Sequence, residues 1–274
     1  MGYRATKTDR IQETILEKAI EILGALGSPP ETSLDLLIRL IGEQDESLLA
    51  ATGNLAKPKY FDSLVENLEL VKLSKQHLLD PAMEPLDAGA LLGRGQPGGK
   101  TRLSIISTKF LTDQATMQFW VARLAVEISR WASKHPASSL QALVFFDEAD
   151  IYMPAQSKPA TKEPMQDLLK RARSAGVGVF LGTQNPGDLD YKSRENVLTW
   201  FVGRVTEERN LEKLKTLFSD YPASFAGRLA KKKAGEFFLL RKGGVSELKA
   251  TRALMATEQL PEDAILALAR ATRR

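Results

Sequence analysis

The chain has no cysteine, which removes disulfides and thiolate metal sites from consideration. Histidine is nearly absent as well: His77 and His135 are the only two, which argues against a His-based metal centre. No apolar run approaches the ~20 residues that span a bilayer, and no signal-peptide pattern opens the chain. A cytoplasmic, soluble protein is the resulting expectation. Nor is there an internal repeat or a low-complexity segment.

What is present is ordinary globular composition, with 43% hydrophobic and 26% charged residues in 274 positions. That length fits one large or two modest domains and allows a sizeable core. The net charge of +4 is unevenly distributed. Residues 228–274 hold eleven Lys and Arg against five Asp and Glu, a surplus of six positive charges, so the rest of the chain is mildly acidic. A basic end of this kind suits phosphate-bearing partners as well as plain solvation.

One stretch organises the remainder. In Leu143-Val144-Phe145-Phe146-Asp147-Glu148-Ala149-Asp150, four large apolar residues run into carboxylates. The run predicts a strand covered on both faces, as in a parallel α/β sheet. Acids at its carboxyl end then face the crevice where such sheets bind ligands. This is the layout of a Walker B element, in which Asp147 holds Mg²⁺ through water and Glu148 polarises the water that attacks a γ-phosphate. A buried strand ending in an acidic helix cap has the same pattern.

Residues 1–90 predict helices. Ile11, Ile15, Ala19, Ile22 and Leu23 form one apolar stripe, and further helices are expected over Leu34–Ile41, after Asp45, and over Tyr60–Lys75. Pro29-Pro30, Asp80-Pro81 and Glu84-Pro85 are turn signals. Gly93-Arg-Gly-Gln-Pro-Gly-Gly-Lys100-Thr101 resembles a P-loop only at its end. The motif needs glycine five positions before its last glycine, where Arg94 stands, and Gly95 is one residue too close. A P-loop also sits between a strand and a helix, whereas here the strand-like Leu103–Thr108 follows. A Gly-rich turn into a strand is expected instead.

A long helix capped by Thr112 or Asp113 should bury Met117, Trp120, Val121, Leu124, Ile128 and Trp131. With the strands on either side it would make a right-handed βαβ unit. Met153–Pro164 is expected to be a mobile loop, followed by a helix over Met165–Ala175 with Lys170, Arg171 and Arg173. The strand Val177–Thr183 then brings Thr183-Gln184-Asn185-Pro186 to the same sheet edge as Asp147 and Glu148. A helical stretch over Lys192–Val197, a strand over Trp200–Val205 carrying Arg204, and a helix over Asn210–Phe218 follow. Glu236–Leu240 and Val245–Leu248, around Lys242-Gly243-Gly244, predict a hairpin.

Together, Asp147-Glu148-Ala149, the helix ending Arg171-Ala-Arg173-Ser-Ala-Gly176, the strand ending Thr183-Gln184-Asn185-Pro186, and the Arg204 strand resemble the C-terminal half of HerA/FtsK-type P-loop ATPases. HerA-like helicase and translocase domains are most similar. The resemblance covers residues 93–250, and residues 1–90 match none of its motifs. It implies an α/β fold: a RecA-like parallel sheet lacking the P-loop strand, with an N-terminal helical subdomain or insertion over 1–92 and a C-terminal β-hairpin within an ATPase core portion over 93–274.

The resemblance further implies Mg²⁺ and ATP as cofactors, duplex DNA as partner and a homo-oligomeric ring, usually a hexamer. It makes Asp147 the metal residue, Glu148 the general base and Gln184 the sensor of nucleotide state. Arg173, with Arg171 as second choice, would be the finger reaching a neighbour's γ-phosphate, a device worth about 10³–10⁵ in rate. Arg204 would be a second phosphate sensor. Acids, amide and arginine are expected to converge on one rim. Walker A is missing from this sequence and would have to come from upstream or from another polypeptide, so the chain alone should bind ATP poorly. Two alternatives remain: a non-catalytic ATPase-like module that assembles with active subunits, and a nuclease or other Mg²⁺ enzyme using Asp147, Glu148 and Asp150.

Overall fold

The computed structural model describes residues 6–27, 33–53, 56–75, 86–93, 101–111, 113–190, 196–222, 225–241, 244–254 and 258–272. The chain divides into two compact units, Met1–Lys100 and Thr101–Arg274.

The first unit is helical: α1 (Lys7–Ala25), α2 (Ser33–Gly42), α3 (Glu46–Thr52), α4 (Pro58–Ser74) and the short α5 (Ala88–Leu91). Local chemistry starts three of these helices. Thr6 and Asp9 form a reciprocal capping box at α1, the Asp45 carboxylate accepts from the Ser47 amide at α3, and Pro58 opens α4. The stripe read from the sequence is the core here. Ile15 and Ala19 are fully buried with Leu37, Ile41, Leu48, Phe61 and Leu64, and Ile11, Ile22 and Leu23 pack against them. The turn signals at residues 29–30, 80–81 and 84–85 lie outside the described residues.

The second unit opens with α6 (Gln114–Lys134), which Asp113 caps through the Thr116 amide at 2.8 Å. Val121, Ile128 and Trp131 form its buried face with Ala125. After it come β1 (Ala142–Phe146), α7 (Ala149–Tyr152), α8 (Lys162–Arg171), a 3-10 turn over Ala172–Ala175 and β2 (Val177–Leu181). Strands β1 and β2 pair in parallel, from Ala142 opposite Val177 to Phe146 opposite Leu181. Gly176, at φ +62°, makes the turn into β2, and a Cβ there would lie 1.9 Å from the Ser139 carbonyl oxygen, so only glycine fits. Beyond lie β3 (Thr199–Val202), α9 (Glu208–Leu217), α10 (Ala226–Leu229), β4 (Glu236–Arg241), β5 (Gly244–Lys249) and α11 (Glu262–Thr272). The expected hairpin is present as antiparallel β4–β5. Phe218, Phe225 and Phe238 meet edge-to-face at 5.7–5.8 Å beneath that sheet, with Trp200 5.3 Å from Phe218.

Several expectations change. Leu103–Thr108 belongs to no strand among the described residues, and Leu103 and Ile105 are exposed. The expected βαβ unit through α6 is therefore not formed; the parallel crossover runs from β1 through α7 and α8 to β2. Strand β3 does not extend that sheet but pairs antiparallel with β4. Nor is β1 covered on both faces: Phe146 is buried, whereas Leu143 and Phe145 are 59% and 66% exposed. An all-apolar run cannot reveal which face lacks its cover. The helix after the loop starts at Lys162 rather than Met165, and its last turn tightens to 3-10. The residues expected as a helix over Lys192–Val197 lie mostly outside those described, as does most of the Gly93–Thr101 segment.

The Met153–Pro164 loop is not free either. Pro154 bridges to Leu189, the Thr161 hydroxyl donates to the Tyr152 carbonyl at 2.6 Å, and Lys162 is buried. Its proline and lysine content suggested mobility, but the lysine is used inward.

Candidate functional site

The site is built by strand polarity. Since β1 and β2 run parallel and in register, the residues that follow each emerge at the same sheet edge. Asp147-Glu148 leave β1 beside Gly182-Thr183-Gln184, which leave β2. The Gly182 amide donates to the Phe146 carbonyl at 2.9 Å, and the Ala149 amide donates to the Gly182 carbonyl at 2.8 Å. The ladder thus continues one step past both strands and fixes the acid turn against the amide-bearing loop.

Asp147, Glu148 and Gln184 are all exposed on this edge. Asp147 Oδ1 accepts from the Glu148 amide at 3.0 Å. Glu148 sits in the left-handed region at φ 51°, ψ 46°, one of two non-glycine residues with positive φ among those described. Such a conformation costs on the order of 1–3 kcal/mol and needs its surroundings to enforce it. Here the ladder of β1 on one side and α7 on the other do so. A Cβ at Gly182 would lie 3.3 Å from Asp147 Oδ1 and 3.5 Å from the Phe145 ring, so glycine lets the loop approach the acid.

The third acid, Asp150, is engaged differently. Its Oδ1 accepts a 2.5 Å hydrogen bond from the Thr183 hydroxyl, whose oxygen in turn accepts from the Asn185 amide at 3.0 Å. Among the described residues no group of three or more His, Asp or Glu side chains is arranged to hold a metal ion. The donor set at this edge fits Mg²⁺ in one respect: Asp147 offers a single exposed carboxylate, the usual protein share of a site completed by water and phosphate oxygens.

The arginines do not join this edge. Arg171 ends α8 and Arg173 lies in the 3-10 turn just before β2, whose Gly176 carbonyl accepts from Gln141 at the start of β1. They stand at the amino edge of the sheet, the length of a five-residue strand from Gln184, roughly 16 Å. Arg171 pairs with Asp167 at 3.4 Å. The structure thus places the acids and the amide at one edge, and Arg171 and Arg173 at the other. Arg204 is exposed just beyond the carboxyl end of β3, in the other sheet.

Two groups of residues escaped the sequence reading. The Thr183–Asp190 loop is tied to the segment after Glu148 by the Asp150–Thr183 bond, by the 2.7 Å Lys162–Asp190 ion pair and by the Asp190 amide, which donates to the Met153 carbonyl at 2.7 Å. The same loop is held from α9, where Lys213 donates to the Gly187 carbonyl and lies 3.8 Å from Asp188. Thr183 was visible as the neighbour of Gln184; no local signal links Lys162 to Asp190.

A family model described as helicase HerA-like, C-terminal, matches residues 68–207. No curated protein matches the sequence at a significant level. Among solved structures, VirB4 of Thermoanaerobacter pseudethanolicus is similar with a TM-score of 0.61 at 16% identity, over 89% of this chain and 65% of that one. The bacterial conjugative coupling protein TrwB gives 0.57 at 14% identity, over 93% and 66%. The genome packaging NTPase B204 from Sulfolobus turreted icosahedral virus 2, in complex with ATP-gammaS, gives 0.44 at 16% identity, over 62% and 74%. The chain thus spans just under two thirds of the VirB4 and TrwB structures. At these identities the likeness to VirB4 and TrwB establishes the fold alone, the RecA-like α/β fold.

Proposed function

Given that the chain belongs to the HerA-like helicase C-terminal family, we propose that it is the acid-bearing portion of an ATP-hydrolysing motor that translocates on or unwinds duplex DNA. The observation that carries this reading is the parallel β1–β2 register, with Asp147-Glu148 and Thr183-Gln184 on adjacent strand ends. The left-handed backbone at Glu148 supports it, because strain of this kind collects at functional turns.

In this reading Asp147 would hold Mg²⁺, which would neutralise charge on the phosphates of the substrate ATP. Glu148 takes the proton of the attacking water, and the Gln184 amide contacts water and phosphate from the neighbouring strand end. Arg173, or Arg171, acts on the site of an adjacent subunit in a homo-oligomeric ring. Its position at the opposite sheet edge favours action in trans over action within one chain. Arg204 is a second phosphate sensor. The phosphate cradle comes from a segment that also covers the bare face of Leu143, Phe145 and Phe180. The name of TrwB as a conjugative coupling protein, and its complex with the GTP analogue GDPNP, support a nucleotide and a DNA-handling role. Exposed basic residues after 228, among them Lys231, Lys249 and Arg252, would meet DNA phosphates.

The missing cradle also favours a second reading, a non-catalytic module assembled with active subunits. Substitution E148Q in the assembly that contains a Walker A segment separates the two. The motor reading expects turnover to vanish while ATP still binds; unchanged hydrolysis removes Glu148 from the base role. The 274-residue chain by itself should bind Mg²⁺–ATP weakly, and micromolar affinity would show that the cradle is already within it.

A further inference from the structure

We propose that Asp150 is a positioning residue, which with Lys162 clamps both ends of the Thr183–Asp190 loop and so sets Gln184 against the acid pair. This rests on the motor reading for its purpose, but the clamp is a property of the chain itself.

The loop carrying Gln184 is anchored at its first residue and its last, and both anchors reach the same segment. At the first, the Thr183 hydroxyl gives its single proton to Asp150 Oδ1 at 2.5 Å and accepts the Asn185 amide at 3.0 Å. Both capacities of that hydroxyl are used in opposite directions, which fixes its rotamer and the peptide planes flanking Gln184. A hydroxyl-to-carboxylate bond this short is of the charge-assisted, stronger kind. At the last residue, the Asp190 carboxylate meets Lys162 Nζ at 2.7 Å, with the two side chains 3% and 9% exposed. Lys162 Nζ also donates to the Pro154 and Ser157 carbonyls at 2.7 and 3.1 Å. Between the anchors, Pro154 bridges to Leu189 and the Ala155 amide donates to the Asp188 carbonyl at 2.8 Å.

Asp150, Pro154, Ala155 and Lys162 all lie in residues 150–162, which begin two positions after Glu148, while Lys213 of α9 holds the middle of the loop. Among the described residues the Gln184 side chain has no anchor of its own; it stays exposed and is placed by its neighbours. Displacing the 150–162 segment would therefore shift the acid turn and the amide together. Asp150 serves this frame rather than a metal: its bonded oxygen faces Thr183, and it does not combine with Asp147 and Glu148 into a ligand cluster among the described residues.

The test has two arms. In the full chain, hydrogen exchange is measured over residues 147–150 and 182–190 for T183V, T183S, D150A and the D150A/T183V double variant. The clamp predicts that T183V and D150A each speed exchange of the Ala149 and Asn185 amides by about tenfold, that T183S stays near wild type, and that the double variant adds nothing further. Exchange unchanged in T183V, or fully additive effects, overturns the clamp. In the assembly with a Walker A segment, T183V should lower kcat by about tenfold with KM for ATP little changed, and T183S should restore it. If D150A instead raises the Mg²⁺ concentration needed for half-maximal activity and T183V does not, Asp150 is a metal ligand and the proposal fails. An assembly that hydrolyses nothing, while the exchange pattern is as expected, overturns the motor reading and leaves the clamp standing.

Discussion

Lys162 and Asp190 form an ion pair at 2.7 Å with almost no solvent access, 28 residues apart in sequence and joining the segment after the acid turn to the loop after β2. Removing one partner of such a pair strips the buried charge of its counter-ion, which typically costs about 3–5 kcal/mol. K162M should therefore lower the urea midpoint sharply. K162M/D190L, which removes both charges, should recover most of the loss. A K162M chain as stable as wild type would mean that the pair is not buried in solution.

Glu148 offers a backbone test that does not depend on activity. At φ 51° a side chain is strained and glycine is not, so E148G should be more stable than E148A by about 1 kcal/mol. Both variants lack the carboxylate, so the comparison isolates the backbone. Equal stabilities in chemical denaturation would show that the turn does not hold this conformation. If the expected difference appears, the wild-type glutamate is being kept at a thermodynamic disadvantage, as expected for a residue retained for chemistry.

The legible part of the fold was the part written in local periodicity. Ile15 and Ala19 recur at helical spacing and are the centre of the first unit's core; Lys242-Gly243-Gly244 between two apolar runs marked the β4–β5 hairpin. The alignment of Asp147 with Gln184 was legible because two short apolar runs joined by a helical crossover pair in parallel. What was not legible depends on partners distant in sequence or missing from the sheet. Leu103–Thr108 reads as a strand from its β-branched and apolar residues, yet a strand exists only through a ladder, and none of the described residues supplies one. Phe145 reads as buried for the same reason. Arg173 was grouped with the acids by motif order, although a residue before β2 and a residue after it must leave by opposite edges.

The bare sheet face gives a third prediction. Phe145 and Phe180 stack with ring centroids 6.0 Å apart on the face that β1 and β2 leave open, beside Leu143. Contiguous exposed apolar surface of this kind binds partners or self-associates. The isolated chain should therefore bind an apolar dye and sediment as a concentration-dependent oligomer. F145K should reduce both effects while changing unfolding free energy by no more than about 0.5 kcal/mol, as for an exposed position. A large destabilisation would show that Phe145 is already covered by residues of this chain.

The final prediction concerns acid. Glu247 on β5 accepts from Lys232 Nζ at 2.9 Å and from Arg228 at 2.7 Å, and Lys232 also lies 3.9 Å over the Phe238 ring. The hydrogen bond from Lys232, then its charge, hold the Glu247 carboxyl below its ordinary value of 4.5; partial desolvation works against them, and Arg228 adds a smaller effect in the same direction as Lys232. A carboxyl whose value is lowered by folding binds its proton more tightly when unfolded, so its stabilisation is complete above 4.5 and is lost as pH falls through the lowered folded value. E247Q keeps an acceptor for Lys232 but has nothing to titrate. The stability difference between wild type and E247Q should thus be constant from neutrality down to about pH 5.5 and shrink below the ordinary carboxylate range. Urea midpoints of the two proteins measured across that interval decide it: a difference that widens on acidification would mean that Glu247 is not held as the anion between the two cations.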